Sequence, residues 1–175
     1  FGYAESENGV DWKILSEKIL VPELNWEGEN IMYPMVLKEE DMYKMWYTGR
    51  SSSSNYAIGY AESTNGVNWK KNNKPVILHF VLPKIIRRIF EFMCRIFGID
   101  FKVPLYGVGS PFVWKEDSKY FLLGHSIGTH GKLHISLFES IDGKKWFKKR
   151  NDILGNVKFE EWNLFFQGDP YVYVK

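Results

Sequence analysis

Three carboxylates recur at one place in this chain. Residues 1–12 read FGYAESENGVDW, residues 58–69 IGYAESTNGVNW and residues 135–146 ISLFESIDGKKW, so Glu5, Glu62 and Glu139 share one slot. A carboxylate can act as general acid, base or nucleophile. One active site has no use for an identical carboxylate in every copy of a repeat, so these three read as structural or surface groups. Positions that differ between otherwise matching copies are better candidates. The residue ahead of Pro34, Pro111 and Pro170 is Tyr33, Ser110 and Asp169 in turn. Further along, Thr48 aligns with His125 and Arg50 with Ile127. Arg50 could donate a bidentate pair of hydrogen bonds to a sugar hydroxyl, carboxylate or phosphate, or be a solvated loop residue. His125 could donate to a ligand in a polar funnel, or be a satisfied structural group.

Other chemistries find little support. His125, His130 and His134 cluster loosely, but the spacing of the last two suits a helix and the stretch reads as loop and strand, so no metal site is expected. The run Ser51–Ser54 is a polar loop, and no G-x-S-x-G occurs. Neither a phosphate loop nor a dinucleotide fingerprint appears, and no cofactor is implied. Gly107 and Gly109, ahead of Ser110, allow only a tight approach of backbone. The 23 Lys and Arg against 21 Asp and Glu give +2, which implies no nucleic-acid partner. A single cysteine, Cys94, excludes an internal disulfide and a cysteine-based zinc cluster. No apolar run is long enough for a transmembrane segment. No secretion signal opens the chain, although a first residue of Phe1 leaves room for a removed leader.

These candidates must be positioned by a repeat. Pro34 and Pro111, Glu62 and Glu139, and Trp69 and Trp146 are each 77 residues apart, and 36 residues align without a gap. Trp12 to Trp69 is 57 and Pro111 to Pro170 is 59, so the intrinsic period is near 58 and one copy carries about 19 extra residues, around 79–101. Self-similarity at such a period marks a propeller or an array, in which each unit buries its apolar face against its neighbours. Within a copy, 31–37, 42–48, 57–63, 67–71 and 76–78 are short runs with strand character. Asn8-Gly9, Asn65-Gly66 and Asp142-Gly143 predict two-residue type I′ hairpin turns. The tryptophan after each turn (Trp12, Trp69, Trp146) is expected to pack between adjacent units. With 17% aromatic residues, the chain suits layered sheets and sugar-binding grooves equally. The expected fold is an all-β propeller with one helical insertion.

The pattern P-x-V-x-K-E-D-x-x-Y, then Y-T-G, then I-G-Y-A-E-S-x-N-G-V-x-W, resembles the blade repeat of the five-bladed β-propeller glycosidases. That superfamily includes arabinanases, β-fructosidases and mannoside phosphorylases. The resemblance covers nearly the whole chain outside the insertion and points to a fold more than to a substrate. Sialidase propellers resemble it less, because one residue separates their Asp from their Gly. The resemblance implies that inner strands converge on an axis, with acids at their starts around a funnel. It implies that Gly168-Asp169-Pro170 is the Asp-Pro motif carrying a catalytic or transition-state-stabilising carboxylate; by its residues alone Asp169 is equally a turn or strand-entry cap before Pro170. Glycoside cleavage needs two carboxyl groups about 5 to 9.5 Å apart, and Glu161, with Glu160 beside it, is the candidate second. Trp162 could stack on a sugar ring. Tyr33, Arg50, Ser110 and His125 would line the funnel and bind the carbohydrate. Tyr33 and Ser110 depart from the acidic pattern, which favours a non-catalytic carbohydrate-binding or interaction propeller as the alternative.

The expected division is a blade remnant at 1–28, a blade at 29–78, the insertion at 79–101, a blade at 102–155 and the start of another at 156–175. Five blades would need roughly 290 residues, so the chain reads as a fragment whose open edges require missing blades or a partner. In the insertion, Pro83 suits a helix start and Gly98 a C-cap. Ile85, Ile89, Phe92, Met93, Ile96 and Phe97 share one face of a helix over 84–97, with Lys84, Arg87, Arg88, Glu91 and Arg95 on the other. Such a helix either packs on its own fold or lies on a membrane or partner.

Overall fold

The structure, a computed structural model, describes residues 1–50, 56–78, 89, 92, 93, 96, 107–127, 133–150, 153 and 170. Among the described residues there are two four-stranded antiparallel meanders and a hairpin. The hairpin pairs β1 (Tyr3–Glu5) with β2 (Lys13–Ser16). The first meander runs β3 (Asn30–Glu39), β4 (Met42–Arg50), β5 (Tyr56–Ser63) and β6 (Lys70–Lys71). The second runs β7 (Val108–Glu116), β8 (Lys119–Ile127), β9 (Leu133–Ser140) and β10 (Phe147–Arg150). Each strand lies beside its sequence neighbour, as short antiparallel connections require. Among the described residues no helix is long and apolar enough to cross a membrane. Ile89, Phe92, Met93 and Ile96 have helical backbone and exposed side chains; the rest of the expected helix lies outside the described residues.

Alternation along β4 shows how the layers stack. Successive strand side chains point to opposite faces, and residues 45–49 are buried throughout. Met45 and Tyr47 pack on one side with Leu20, Ala61, Phe1 and Trp26. Trp46 packs on the other with Val108, Val113, Tyr120, Leu122 and Phe138 of the second meander. The first meander is therefore covered on both faces. First strands meet as well, because β7 packs against β3, β4 and β5.

Polar bonds pin the two meanders together. Glu39 accepts hydrogen bonds from the Tyr120 hydroxyl at 2.7 and 2.8 Å and ion-pairs with Lys44 at 2.6 Å and Lys115 at 2.7 Å. Burial alone would raise its pKa, but the bonds from Lys115, Lys44 and Tyr120 outweigh it and bring it down to about 2. The recurrent glutamates are tied in the same way. Glu62 pairs with Lys144 at 2.8 Å and accepts the Tyr60 hydroxyl, whereas Glu139 pairs with Lys119 and Lys149. Glu5 accepts the hydroxyl of Tyr3.

The turns differ from expectation. A type I′ turn needs positive φ at both central residues. Here only Gly9 (φ 74°), Gly66 (73°) and Gly143 (73°) have it, while Asn8, Asn65 and Asp142 do not. In place of a two-residue turn, a longer loop is organised by side chains. Ser63 Oγ accepts the Gly66 N–H, Asn65 Oδ1 accepts the N–H groups of Val67 and Asn68, and Trp69 Nε1 donates to the Gly66 carbonyl. The same bonds recur around Asp142 and Asn8. These bonds hold 64–69 out of the ladder, so the strand expected at 67–71 is reduced to Lys70–Lys71. Residues 76–78 form no strand either; Ile77 makes a single bridge to Ile58, following Pro75, which has no N–H to donate. Trp146 meets Trp46 edge-on at 6.3 Å across the meanders, and Trp69 packs beside Met45 and Tyr47. Trp12 departs from the expected packing and stands 62% exposed.

Candidate functional site

The two first strands are interrupted at equivalent points. Pairing of β3 with β4 shifts between Met32 and Met35, and pairing of β7 with β8 shifts between Gly109 and Phe112. Each irregularity holds the residue before a proline in the left-handed region, Tyr33 at φ 55° and Ser110 at φ 47°. That conformation costs a non-glycine residue about 1–3 kcal/mol and concentrates at functional sites, where a bulge re-aims a side chain. Tyr33 is 47% exposed and Ser110 only 5%. The Ser110 Oγ is buried without a hydrogen-bond partner among the described residues.

Around Ser110 a ring of side-chain contacts and strand neighbours joins the meanders. The Ser110 N–H donates to Oγ1 of the fully buried Thr48 at 2.9 Å. Arg50 lies two residues beyond Thr48 and therefore on the same face of β4. Its guanidinium sits over the Tyr56 ring, 5.6 Å from the centroid, with Tyr56 directly opposite in the β4–β5 ladder. Tyr56 meets the His125 ring edge-on at 6.0 Å, and His125 pairs in register with Gly109, next to Ser110. The expected tight approach is visible at Gly107 (φ 132°), where an added Cβ would lie 2.7 Å from the Tyr56 backbone.

Behind Arg50 stands a carboxylate with no signal in the sequence. Glu27 is fully buried, in the segment leading into β3. It ion-pairs with Lys71 at 2.8 Å, accepts the Tyr47 hydroxyl at 2.7 Å, and accepts the N–H groups of Glu23 at 2.7 Å and Leu24 at 2.9 Å. Burial opposes its ionisation, yet these bonds, led by that of Lys71, hold its pKa below the ordinary carboxylate value. Burial first, and then its bond to Glu27, push the Tyr47 hydroxyl pKa upward. The Glu27 carbonyl then accepts the Arg50 N–H at 3.1 Å, fixing the end of β4.

Of the residues expected to bind ligand, Arg50, Ser110 and His125 thus lie in one ring, and Tyr33 occupies the bulge equivalent to Ser110. Asp169, Glu161 and Trp162, with Glu160 and His130, lie outside the described residues. Tyr56 and Glu27 carry no signal in the sequence as parts of this arrangement, and Thr48 stands out there only by its alignment with His125. The strands expected at 42–48 and 57–63 stop short of the Arg50–Tyr56 pair that closes the β4–β5 ladder. As an assembly, the ring offers a cation, a buried hydroxyl, an imidazole and an aromatic edge, a set suited to binding a polar ligand.

No family model matches the chain, and no curated protein does. Solved structures do. A GH32 beta-fructofuranosidase from Bombyx mori superposes with a TM-score of 0.60 at 21% identity, over 84% of this chain and 27% of that one. The sucrose-6-phosphate hydrolase of Lactobacillus gasseri gives 0.59 at 19% identity, over 82% of this chain and 26% of that one. A structure described with the GH130 family of mannoside phosphorylases, which contains glycoside hydrolases, gives 0.58 at 16% identity, over 85% and 41%. The chain spans between about a quarter and two fifths of the length of these proteins. All are glycoside hydrolases or their relatives with propeller-type folds, and the likeness is one of fold.

Proposed function

We propose that this chain is part of a five-bladed glycoside hydrolase-like propeller acting on an oligo- or polysaccharide at the axial ends of its first strands. The observation that carries this reading is the paired left-handed bulge at Tyr33-Pro34 and Ser110-Pro111. A third copy of the same slot holds Asp169 before Pro170. In this proposal Asp169 supplies one carboxyl group and Glu161 the second, one protonated and one ionised across the scissile bond. Tyr33, Arg50, Ser110 and His125 line the funnel and Trp162 stacks on a sugar ring. The division into a remnant at 1–28, blades at 29–78 and 102–155, a helical insertion at 79–101 and a further start at 156–175 belongs to the same proposal. So does completion of the ring by further blades or a partner.

A second reading has its own support. Tyr33 and Ser110 stand in the slot where the proposal needs acids, as a non-catalytic carbohydrate-binding propeller would have it. The full-length protein and its Asp169→Asn variant, assayed on arabinan, xylan, fructan and mannan, separate the two. Hydrolysis by the wild type that falls by orders of magnitude in the variant supports the enzyme. Equal inertness of both with retained glycan binding leaves the binding module.

A further inference from the structure

We infer that the ligand held at the ring is an anionic saccharide, its carboxylate or phosphate bound by Arg50 with the Ser110 hydroxyl as a neutral donor. This deepens the carbohydrate reading above and rests on it. The inference starts from the arginine of the ring. Arg50 makes no ion pair among the described residues; its guanidinium rests on the Tyr56 ring and its side chain is exposed. Thr48, Tyr56, Gly109, Ser110 and His125 bring no carboxylate to it. A planar guanidinium braced by an aromatic face is pre-organised for two parallel bonds to a carboxylate or phosphate. A neutral sugar has no anion to neutralise it.

The second observation is independent of charge. Ser110 is 95% buried, yet its Oγ has no partner among the described residues, and its backbone is held in the left-handed region. A desolvated, unpaired hydroxyl is costly to the free protein and is accounted for by a ligand atom that accepts from it. Ser110 and Arg50 flank the same Thr48, one bonded to its Oγ1 through the backbone and the other two residues along the strand.

Titration calorimetry on the full-length protein tests this with oligogalacturonides, glucuronides and sugar phosphates, each beside its uncharged counterpart. The acidic member of a pair should bind at least about tenfold tighter, as loss of a charge-assisted bond implies, with the preference shrinking as salt rises. Whether uronides or phosphates bind identifies the anion. Arg50→Gln should abolish the preference while leaving the unfolding temperature near wild type, since its side chain is exposed. Ser110→Ala should weaken acidic binding while holding or raising the unfolding temperature, whereas a structural hydroxyl would lower it. Uncharged saccharides binding as tightly as acidic ones, or Arg50→Gln keeping the preference, overturns the inference and leaves the carbohydrate reading standing. Absence of binding to every saccharide overturns both.

Discussion

The carbonyl of Gly143 accepts the indole N–H of Trp46 at 2.8 Å, across the interface of two meanders and 97 residues of chain. The same carbonyl accepts the N–H of Trp146 at 3.0 Å, so one turn closes its own loop and clamps the neighbouring sheet. A local motif that recurs three times thereby doubles as a joint between layers.

Comparing two glycines isolates that joint. Gly9 and Gly143 have nearly the same φ, +74° and +73°, but an added Cβ at Gly9 meets nothing within 4 Å whereas at Gly143 it lies 2.9 Å from Trp46 Cζ2. Gly9→Ala should cost about 1 kcal/mol of backbone strain, and Gly143→Ala about 2–4 kcal/mol, because overpacking adds to that strain. Chemical denaturation reads both. Equal losses would show that the turn does not carry the interface.

Thr48→Val keeps the shape of the side chain but removes the acceptor of the Ser110 N–H. A buried donor left unsatisfied costs about 1–3 kcal/mol. The loss should appear in the unfolding free energy, together with weaker ligand binding as the bulge loses its tie. A variant as stable as wild type would mean that the bond contributes nothing net.

The Glu39 cluster sets a pH dependence of definite sign. Its carboxyl is lowered in the folded state from 4.5 to about 2, so its contribution is complete above the unfolded value and is lost as pH falls from about 4.5 through about 2. Unfolding curves of wild type and Glu39→Gln should differ by about 2 kcal/mol near neutrality and converge towards pH 2. Curves that stay parallel over that range would remove Glu39 from the acid sensitivity.

Glu27→Gln should be more damaging than any exposed carboxylate change, at about 2–3 kcal/mol, since it removes the charge-assisted bond of the Lys71 ammonium and leaves it the Val21 carbonyl and the exposed Glu23 carboxylate at 3.7 Å. Adding Lys71→Met to that variant should recover part of the loss, a coupling that a double-mutant cycle measures. The position of Arg50 should suffer with it, because the Glu27 carbonyl anchors its N–H. Additive losses in the cycle would argue against a coupled pair.

What the sequence determined by itself was the repetition and its strands. The 77-residue offset of Pro34 and Pro111 corresponds to two meanders with the same strand order, and β3, β4 and β5 lie within two residues of the runs read from apolar patterning. Strand period and a burial pattern are local properties, so they survive reading one residue at a time. The Asn-Gly turns were legible as turns but not as to type, because their form depends on Ser63 and Trp69 reaching back to Gly66. Tertiary structure alone decided the rest. A residue before proline is ordinarily extended, and only the bulged pairing with β4 and β8 puts Tyr33 and Ser110 at positive φ. Glu27 looks like any loop carboxylate until Lys71, 44 residues later, is folded onto it. Sites are made of contacts distant in sequence, and the energy of those contacts is not written in any window that a periodicity can read.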